Sequence, residues 1–416
     1  MTDLWAGRYA ARVQNMQSSI IREILKITQQ PDIVSFAGGL PAPEILPIQA
    51  VRDATDRVLR EHGSEALQYG VTEGYVPLRE MIMRHMQRYG IHCDINNVLI
   101  TSGSQQALDL IGKVMIDPDD KVVVEQPTYV GALQAWNVYG AAYAAVPADD
   151  DGMRTSGLDR ALRADGAKFI YALPNFQNPS GSTLSYARRV AMVQLAEKYH
   201  MPIVEDDSYG QLRFEGEHIP SLIAVDAEMR GEAEAGDACM ITGNVLYLST
   251  FSKTLAPGLR VAWMVGPEQV IQKMVQAKQG ADLHTSTFAQ MVAFETARGG
   301  FLDDHVKVIR KVYRARRDLM IRLLEDLMPE GVTWTRPLGG LFLWVRLPAG
   351  IDTTELLKSA VSRKVAFVPG EAFYPRGGGE NSMRLNFSNS TETQIEEGMR
   401  RLAMVIKEAI FSLQLA

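Results

Sequence analysis

The stretch Leu248-Ser249-Thr250-Phe251-Ser252-Lys253-Thr254-Leu255-Ala256-Pro257-Gly258-Leu259-Arg260 decides how this chain is read. It follows an apolar run, Val245-Leu246-Tyr247-Leu248, and is followed by another, Val261-Ala262-Trp263-Met264-Val265. Runs of this length rich in branched and aromatic residues predict two buried strands. A single lysine therefore sits in a hydroxyl-rich loop at a strand end, with Arg260 seven residues on. A buried amine loses its proton readily, and a neutral amine is what a Schiff-base enzyme needs. Thr250, Ser252 and Arg260 are suited to hold a phosphate beside it. The alternative, a surface turn with a solvated lysine, has to be weighed against the rest of the chain.

The composition suits a globular protein of more than one domain: 416 residues, 46% hydrophobic and 22% charged. A net charge of −6 gives no reason to expect nucleic acid or an anionic membrane as partner. The basic run Arg310-Lys311-Val312-Tyr313-Arg314-Ala315-Arg316-Arg317 reads as the solvated face of a long helix. Two cysteines, Cys93 and Cys239, make no disulfide framework and no metal-ligand spacing. The start lacks the pattern of a secretory signal, and no apolar run approaches the roughly 18 residues that span a bilayer. A cytoplasmic protein is expected.

Short β-type runs alternate with helical segments through the middle of the chain: Val98-Leu99-Ile100, Lys121 to Val124, Lys168 to Leu173, Pro202 to Glu205 and Val245 to Leu248, with a helix over 186–199 among them. This alternation predicts an α/β fold with a mostly parallel central sheet. Beyond about residue 300 the texture changes to a long charged helix (303–327), strands over 341–345 and 383–387 around the loop Gly377-Gly378-Gly379, and a final helix from about Thr391. That predicts a smaller α+β domain, with residues 1–48 and 301–416 in it and residues 49–300 forming the large domain. The acidic piece from Asp226 to Gly243 reads as a surface excursion.

Ligands of open α/β sheets bind beyond the carboxyl ends of the strands, and the unusual residues of this chain fall there. After the first run comes Thr101-Ser102-Gly103-Ser104-Gln105, a polar turn opening a helix, whose free N–H groups suit phosphate. After the second comes Tyr129, an aromatic face for a planar ring. After the third comes Asn175-Phe176-Gln177-Asn178-Pro179-Ser180-Gly181, where Asn178 offers an amide. After the fourth comes Asp206-Asp207-Ser208-Tyr209: a carboxylate that needs a cation, and a phenol that can donate to a ring oxygen. Turn chemistry or packing explains each of these alone. Together with Lys253 they meet the requirements of pyridoxal 5′-phosphate (PLP) acting as an electron sink.

On these motifs, and on Ser35-Phe36-Ala37-Gly38-Gly39-Leu40-Pro41, Leu67-Gln68-Tyr69-Gly70 and Met383-Arg384-Leu385-Asn386-Phe387-Ser388, the chain resembles the fold-type I PLP aminotransferases from about Arg12 to Leu402. Within them it is most similar to the 2-aminoadipate and kynurenine/aromatic group. The resemblance implies that Lys253 holds the cofactor and moves the proton, and that Asp206 keeps the pyridine nitrogen protonated. Tyr209 and Asn178 would bind the ring oxygen, and Tyr129 would stack on the ring. Ser104, Gln105, Thr250, Ser252 and Arg260 would bind phosphate, joined by Tyr69 from the other subunit of a homodimer. Arg384 would take the substrate α-carboxylate and Gly39 would lie against the substrate. Where relatives often have Gly-Ser ahead of the lysine loop's hydroxyl, this chain has Ser249-Thr250, which keeps the hydroxyl.

Ile20, Ile21, Ile24 and Leu25 form one helical stripe, with Ser18 or Ser19 as N-cap and Arg22 off the stripe. In the 2-aminoadipate relatives a serine and an arginine at the positions of Ser19 and Arg22 meet the distal carboxylate of the substrate. Glutamate with 2-oxoglutarate is then an expected donor and acceptor pair, and lysine biosynthesis an implied setting. A solvated arginine is the competing reading of Arg22. Two further readings compete for the whole chain. A β-lyase would use the same cofactor residues and is separated by product analysis with and without a keto-acid acceptor. An effector-binding regulator on this fold would carry a DNA-binding segment ahead of it, whereas here the resemblance starts by about Arg12.

Overall fold

The computed structural model describes residue 5, residues 7–13, residue 16, and residues 32–164, 166–231 and 241–415. Fourteen strands are described. They are β1 (Val34–Ser35), β2 (Val98–Thr101), β3 (Lys121–Gln126), β4 (Ala142–Asp149), β5 (Gly152–Met153), β6 (Ala167–Ala172), β7 (Ile203–Asp206), β8 (Val245–Thr250), β9 (Ala262–Val265), β10 (Thr333–Trp334), β11 (Phe342–Arg346), β12 (Val365–Ala366), β13 (Val368–Pro369) and β14 (Ser382–Asn386).

Eight of these strands form one sheet in the order β2-β9-β8-β7-β6-β3-β4-β5. From β8 to β4 every pairing is parallel, whereas β9 runs antiparallel to both its neighbours. Alternate residues of the strands feed two separate apolar clusters. Ile100, Val123, Ile170, Ile203 and Val245 face one side, and Leu99, Val122, Val124, Val204 and Leu246 face the other. A sheet covered by helices on both faces needs apolar residues at successive positions, which is why its strands read as unbroken apolar runs. All six residues of β8 are buried.

A second sheet, β10-β11-β14-β13, and the β1-β12 pair build the other layer. Its core joins Phe36, Leu343, Val365 and Leu385 to the helices Phe301–Leu327 and Glu392–Leu415. Phe176, Tyr209 and Leu212 also belong to that core, so the loops following β6 and β7 are wedged between the two layers.

The basic run differs from its expected solvated face. Tyr313, Arg316 and Arg317 are buried. Tyr313 accepts a hydrogen bond from Ala42 N–H (3.0 Å), and Arg316 and Arg317 donate to the carbonyls of Ser388 (2.6 Å) and Pro337 (2.7 Å). The helical period puts these residues on the stripe of Met320 and Leu324, which packs into the second core. The excursion after Asp226 also differs at its start. Asp226 is buried in the helix Leu222–Met229 and accepts Asn244 N–H at 3.0 Å, while residues 232–240 lie outside the described residues. Among the described residues, no helix is long and apolar enough to cross a membrane, and no group of acidic, histidine or cysteine side chains could hold a metal.

Candidate active site

Parallel strands end on one edge, so Thr101, Gln126, Ala172, Asp206 and Thr250 deliver their following loops to the same place. Arg260 arrives there by the opposite route. It precedes β9, and because β9 is antiparallel its first residue, Ala262, pairs with both Thr101 and Thr250. Arg260 adopts left-handed backbone (φ 55, ψ 43), a conformation costing a non-glycine residue about 1–2 kcal/mol. Its guanidinium passes over Gly103, where a Cβ would lie only 2.1 Å from Nη2. Gly103 is also at φ 83, so both the turn and the close approach require glycine.

The phosphate-type elements meet here. The helix Ser104–Met115 has no side-chain cap at its N-terminus, and the Ser104 hydroxyl is buried without a partner among the described residues. Gln105 is anchored by donating to the Gly131 carbonyl at 2.9 Å. Thr250 Oγ1 lies 2.9 Å from Ser252 Oγ and accepts Ser252 N–H at 3.0 Å. Free helix N–H groups, hydroxyls and a guanidinium form a cradle for an anion.

Lys253 follows a tight turn held by buried Phe251, which packs on Trp263 at 4.9 Å, and by Leu255 N–H on the Phe251 carbonyl (2.9 Å). Its Nζ donates to the Gly39 carbonyl at 2.7 Å. Burial lowers its pKa to about 8, and the charges of Arg384 and Arg260 push the same way. Condensation with a carbonyl needs the neutral amine. The rate at which cofactor-free protein takes up PLP should therefore rise with pH and level off above about 8. A rate still climbing toward 10.5, the ordinary lysine value, would show that this environment does not act on Lys253.

Asp206 is 3% exposed and accepts hydrogen bonds from Tyr171 (2.9 Å) and Ser208 (2.9 Å). Burial raises its pKa to about 6, and among the described residues no cation pairs with it. A carboxyl held this way lacks the positive partner that a protonated ring nitrogen would supply. Tyr209 is buried edge-on against Phe342 (6.0 Å), beside the Asn178 amide. Its pKa is raised, first by burial and then by Tyr129. Tyr129 heads the helix Val130–Asn137 with its ring folded over Gly131.

Arg384, on β14, closes the site from the second layer. It is 2% exposed and donates to Asn178 Oδ1 and the Ala37 carbonyl, each at 2.7 Å, while Nε has no partner among the described residues. Phe342 and Phe373 lie under the guanidinium at 4.2 and 5.1 Å. Burial lowers its pKa to about 10. Both its partners are neutral, so this buried cation is matched to an anion that the described residues do not supply.

Lys253, Asp206, Tyr209, Asn178, Gly39 and Arg384 are thus brought together, with Ser104, Gln105, Thr250, Ser252 and Arg260 at the same edge. Tyr69 stands apart, 79% exposed and edge-on to His284 at 5.8 Å. Ser19 and Arg22 lie outside the described residues. Three positioning groups escaped the sequence reading. Tyr171 and Ser208 hold Asp206. Arg189, fully buried, ties together the Leu184, Pro174 and Pro220 carbonyls (2.9–3.0 Å) and Asn175 Oδ1 (2.7 Å), bracing the loop that carries Asn178. Only the β6–β7 register, which pairs Tyr171 with Val204, brings Tyr171 near Asp206.

Orphaned Ser104, cation-free Asp206, a lysine near neutrality and carboxylate-free Arg384 fit PLP together with an amino-acid substrate. Fold and site define an α/β enzyme of PLP chemistry. The model of the family "Aminotransferase class I and II" matches residues 32–402, and the chain belongs to that family. It is 44% identical to the aromatic-amino-acid aminotransferase 1 of Thermococcus litoralis, over 96% of this chain and 94% of the relative. The α-aminoadipate aminotransferase of Thermus thermophilus, solved with N-(5′-phosphopyridoxyl)-L-leucine, superposes with a TM-score of 0.90 at 40% identity, over 98% of this chain and 99% of that one. The Pyrococcus horikoshii kynurenine aminotransferase gives 0.89 at 46% identity, over 96% and 97%. The protein is an aminotransferase.

Proposed function

We propose that this enzyme moves the amino group between an L-amino acid (2-aminoadipate, glutamate, aromatic or branched-chain) and a 2-oxo acid such as 2-oxoglutarate, with PLP as cofactor. The observation that carries this reading is Arg384. A buried guanidinium with only neutral partners, backed by apolar rings, suits the α-carboxylate that every amino-acid substrate shares. PLP, when bound, supplies the electron sink that stabilises negative charge at the substrate α-carbon. Lys253 Nζ would hold the cofactor and, once freed, take the proton from the substrate α-carbon and return it to the cofactor carbon that had bonded the lysine. Asp206, held by Tyr171 and Ser208, would keep the ring nitrogen protonated. Asn178, which accepts from Arg384 at 2.7 Å, would join Tyr209 in holding the ring oxygen. A steady-state panel of amino acids against 2-oxoglutarate tests the range: turnover with only one side-chain class would overturn it.

Relatives acting on aromatic amino acids, α-aminoadipate and kynurenine support a site open to both acidic and bulky apolar side chains. Arg384 is taken by the α-carboxylate, so Arg22 is the candidate for the distal carboxylate, and Ser19 the second candidate. Losing a charge-assisted hydrogen bond costs roughly 1.5–3 kcal/mol. Arg22→Ala should lower kcat/KM for 2-aminoadipate about tenfold to a hundredfold and leave leucine or phenylalanine nearly unchanged. Equal losses for both would make Arg22 structural. A 2-aminoadipate preference would suit lysine biosynthesis.

The same reading makes the enzyme a homodimer with shared sites. Leu67, Tyr69 and Val71 are 75%, 79% and 58% exposed, an apolar run that a partner would cover. Tyr69→Phe should weaken PLP retention, measured by dialysis. A fully active monomer in solution would contradict the arrangement. It also divides the chain into a large PLP-binding domain over 49–300 and a small domain built from 1–48 and 301–416, supported by the separate apolar core around β11 and β14.

A further inference from the structure

The basic run on the helix Phe301–Leu327 is only partly used by the fold. Arg316 and Arg317 are buried in ion pairs with Glu44 and Glu215. Arg310, Lys311 and Arg314 instead line a cavity of ≈ 680 Å³ together with Arg213 and His218 from the segment after β7. Lys253 is not among its lining residues, so this cavity is separate from the site above.

The cations outnumber the acidic groups there, and Asp207, whose charge acts on Arg213 and His218, already accepts hydrogen bonds from Asn175 (2.8 Å) and Tyr247 (3.0 Å). Asp318 is the acidic side chain in the lining, and it is already engaged by Arg317 at 2.5 Å, with Arg314 at 3.9 Å. Glu215, 3.7 Å from Arg314, is likewise paired with Arg317. Lys311 makes no hydrogen bond or ion pair with any described residue. Arg213 stacks on Phe176 at 4.9 Å and reaches the Glu215 carbonyl at 3.4 Å with Nη1, while Nη2 is buried and has no partner among the described residues. Arg310 spends its Nε on the Gln211 carbonyl at 2.6 Å. Four permanent cations around one hollow, in a chain of net charge −6, repel one another. A surface serving solubility alone would intersperse the two signs.

We propose that this cavity binds a small multivalent anion, carrying carboxylate or phosphate groups, that bridges Arg213 on the segment after β7 to Lys311 and Arg314 on the long helix. Guanidinium groups favour such ligands because they pair with two oxygens at once. The volume lies within the range of small-molecule sites.

Calorimetric titration of the PLP-loaded enzyme with citrate and, separately, pyrophosphate tests this, comparing wild type with the Lys311→Ala/Arg314→Ala double variant. Both substituted positions are exposed and outside the catalytic machinery, and unchanged transamination checks that the variant is intact. Saturable binding of either anion to the wild type, weakened roughly tenfold to a hundredfold in the variant, is the expected result. The anion that binds more tightly tells carboxylate from phosphate ligands. Equal binding in both proteins would place the anion in the active site, and binding of neither at millimolar concentration would mean that the cavity takes no such ligand. Either result overturns the proposal.

Discussion

Lys253→Ala should abolish transamination while leaving PLP able to bind. A positioned general base alone contributes up to about 10⁴-fold, and in the proposed role this lysine would also form the covalent link to the cofactor. A loss on the order of 10⁴-fold in kcat is therefore expected. The cofactor should still be retained non-covalently, because the cradle at Ser104, Gln105, Thr250, Ser252 and Arg260 is untouched. The amine reaches its working state through its surroundings: burial and two nearby arginines bring its pKa to about 8. A variant that keeps more than a few per cent of wild-type turnover would assign the chemistry to another group.

Asp206→Asn should lower kcat and kcat/KM together, with little change in KM. That pattern marks an interaction needed mainly in the transition state. Removing one partner of a buried ion pair costs about 3–5 kcal/mol, which is roughly a hundredfold to several thousandfold in rate. Asparagine keeps the shape, and its Oδ1 can still accept from one of the Tyr171 and Ser208 hydroxyls while its NH2 donates to the other, so the change removes the charge with both contacts kept. A rise in KM with kcat preserved would contradict the role of Asp206 at the ring nitrogen.

The parts of this protein that sequence reading reaches are those whose physics is local. The strands β2, β3, β6, β7, β8 and β9 announce themselves as apolar runs because a helix-covered sheet buries both faces. The loop residues follow from strand ends, so Lys253, Asp206 and Tyr209 can be named without coordinates. β4 is harder to see. Its alanines and tyrosine are half-buried toward the sheet edge and carry no strong pattern. The reversal of β9, which brings Arg260 to the edge shared with Thr101 and Thr250, depends on strand order and leaves no local trace. The same holds for Tyr171, whose hydroxyl reaches Asp206 only through the register of two parallel strands. Charge runs mislead for a related reason. Arg316 and Arg317 look solvated in sequence, yet each is drawn inward by a carboxylate far away along the chain, Glu44 and Glu215 respectively.

Whether Lys253 bears the cofactor is read from borohydride reduction of the purified enzyme followed by peptide mapping. The enzyme should be yellow, lose that absorbance on reduction, and carry a single pyridoxyl group on the peptide containing Lys253. A colourless protein that takes up no PLP, or a label on any other lysine, would contradict the assignment.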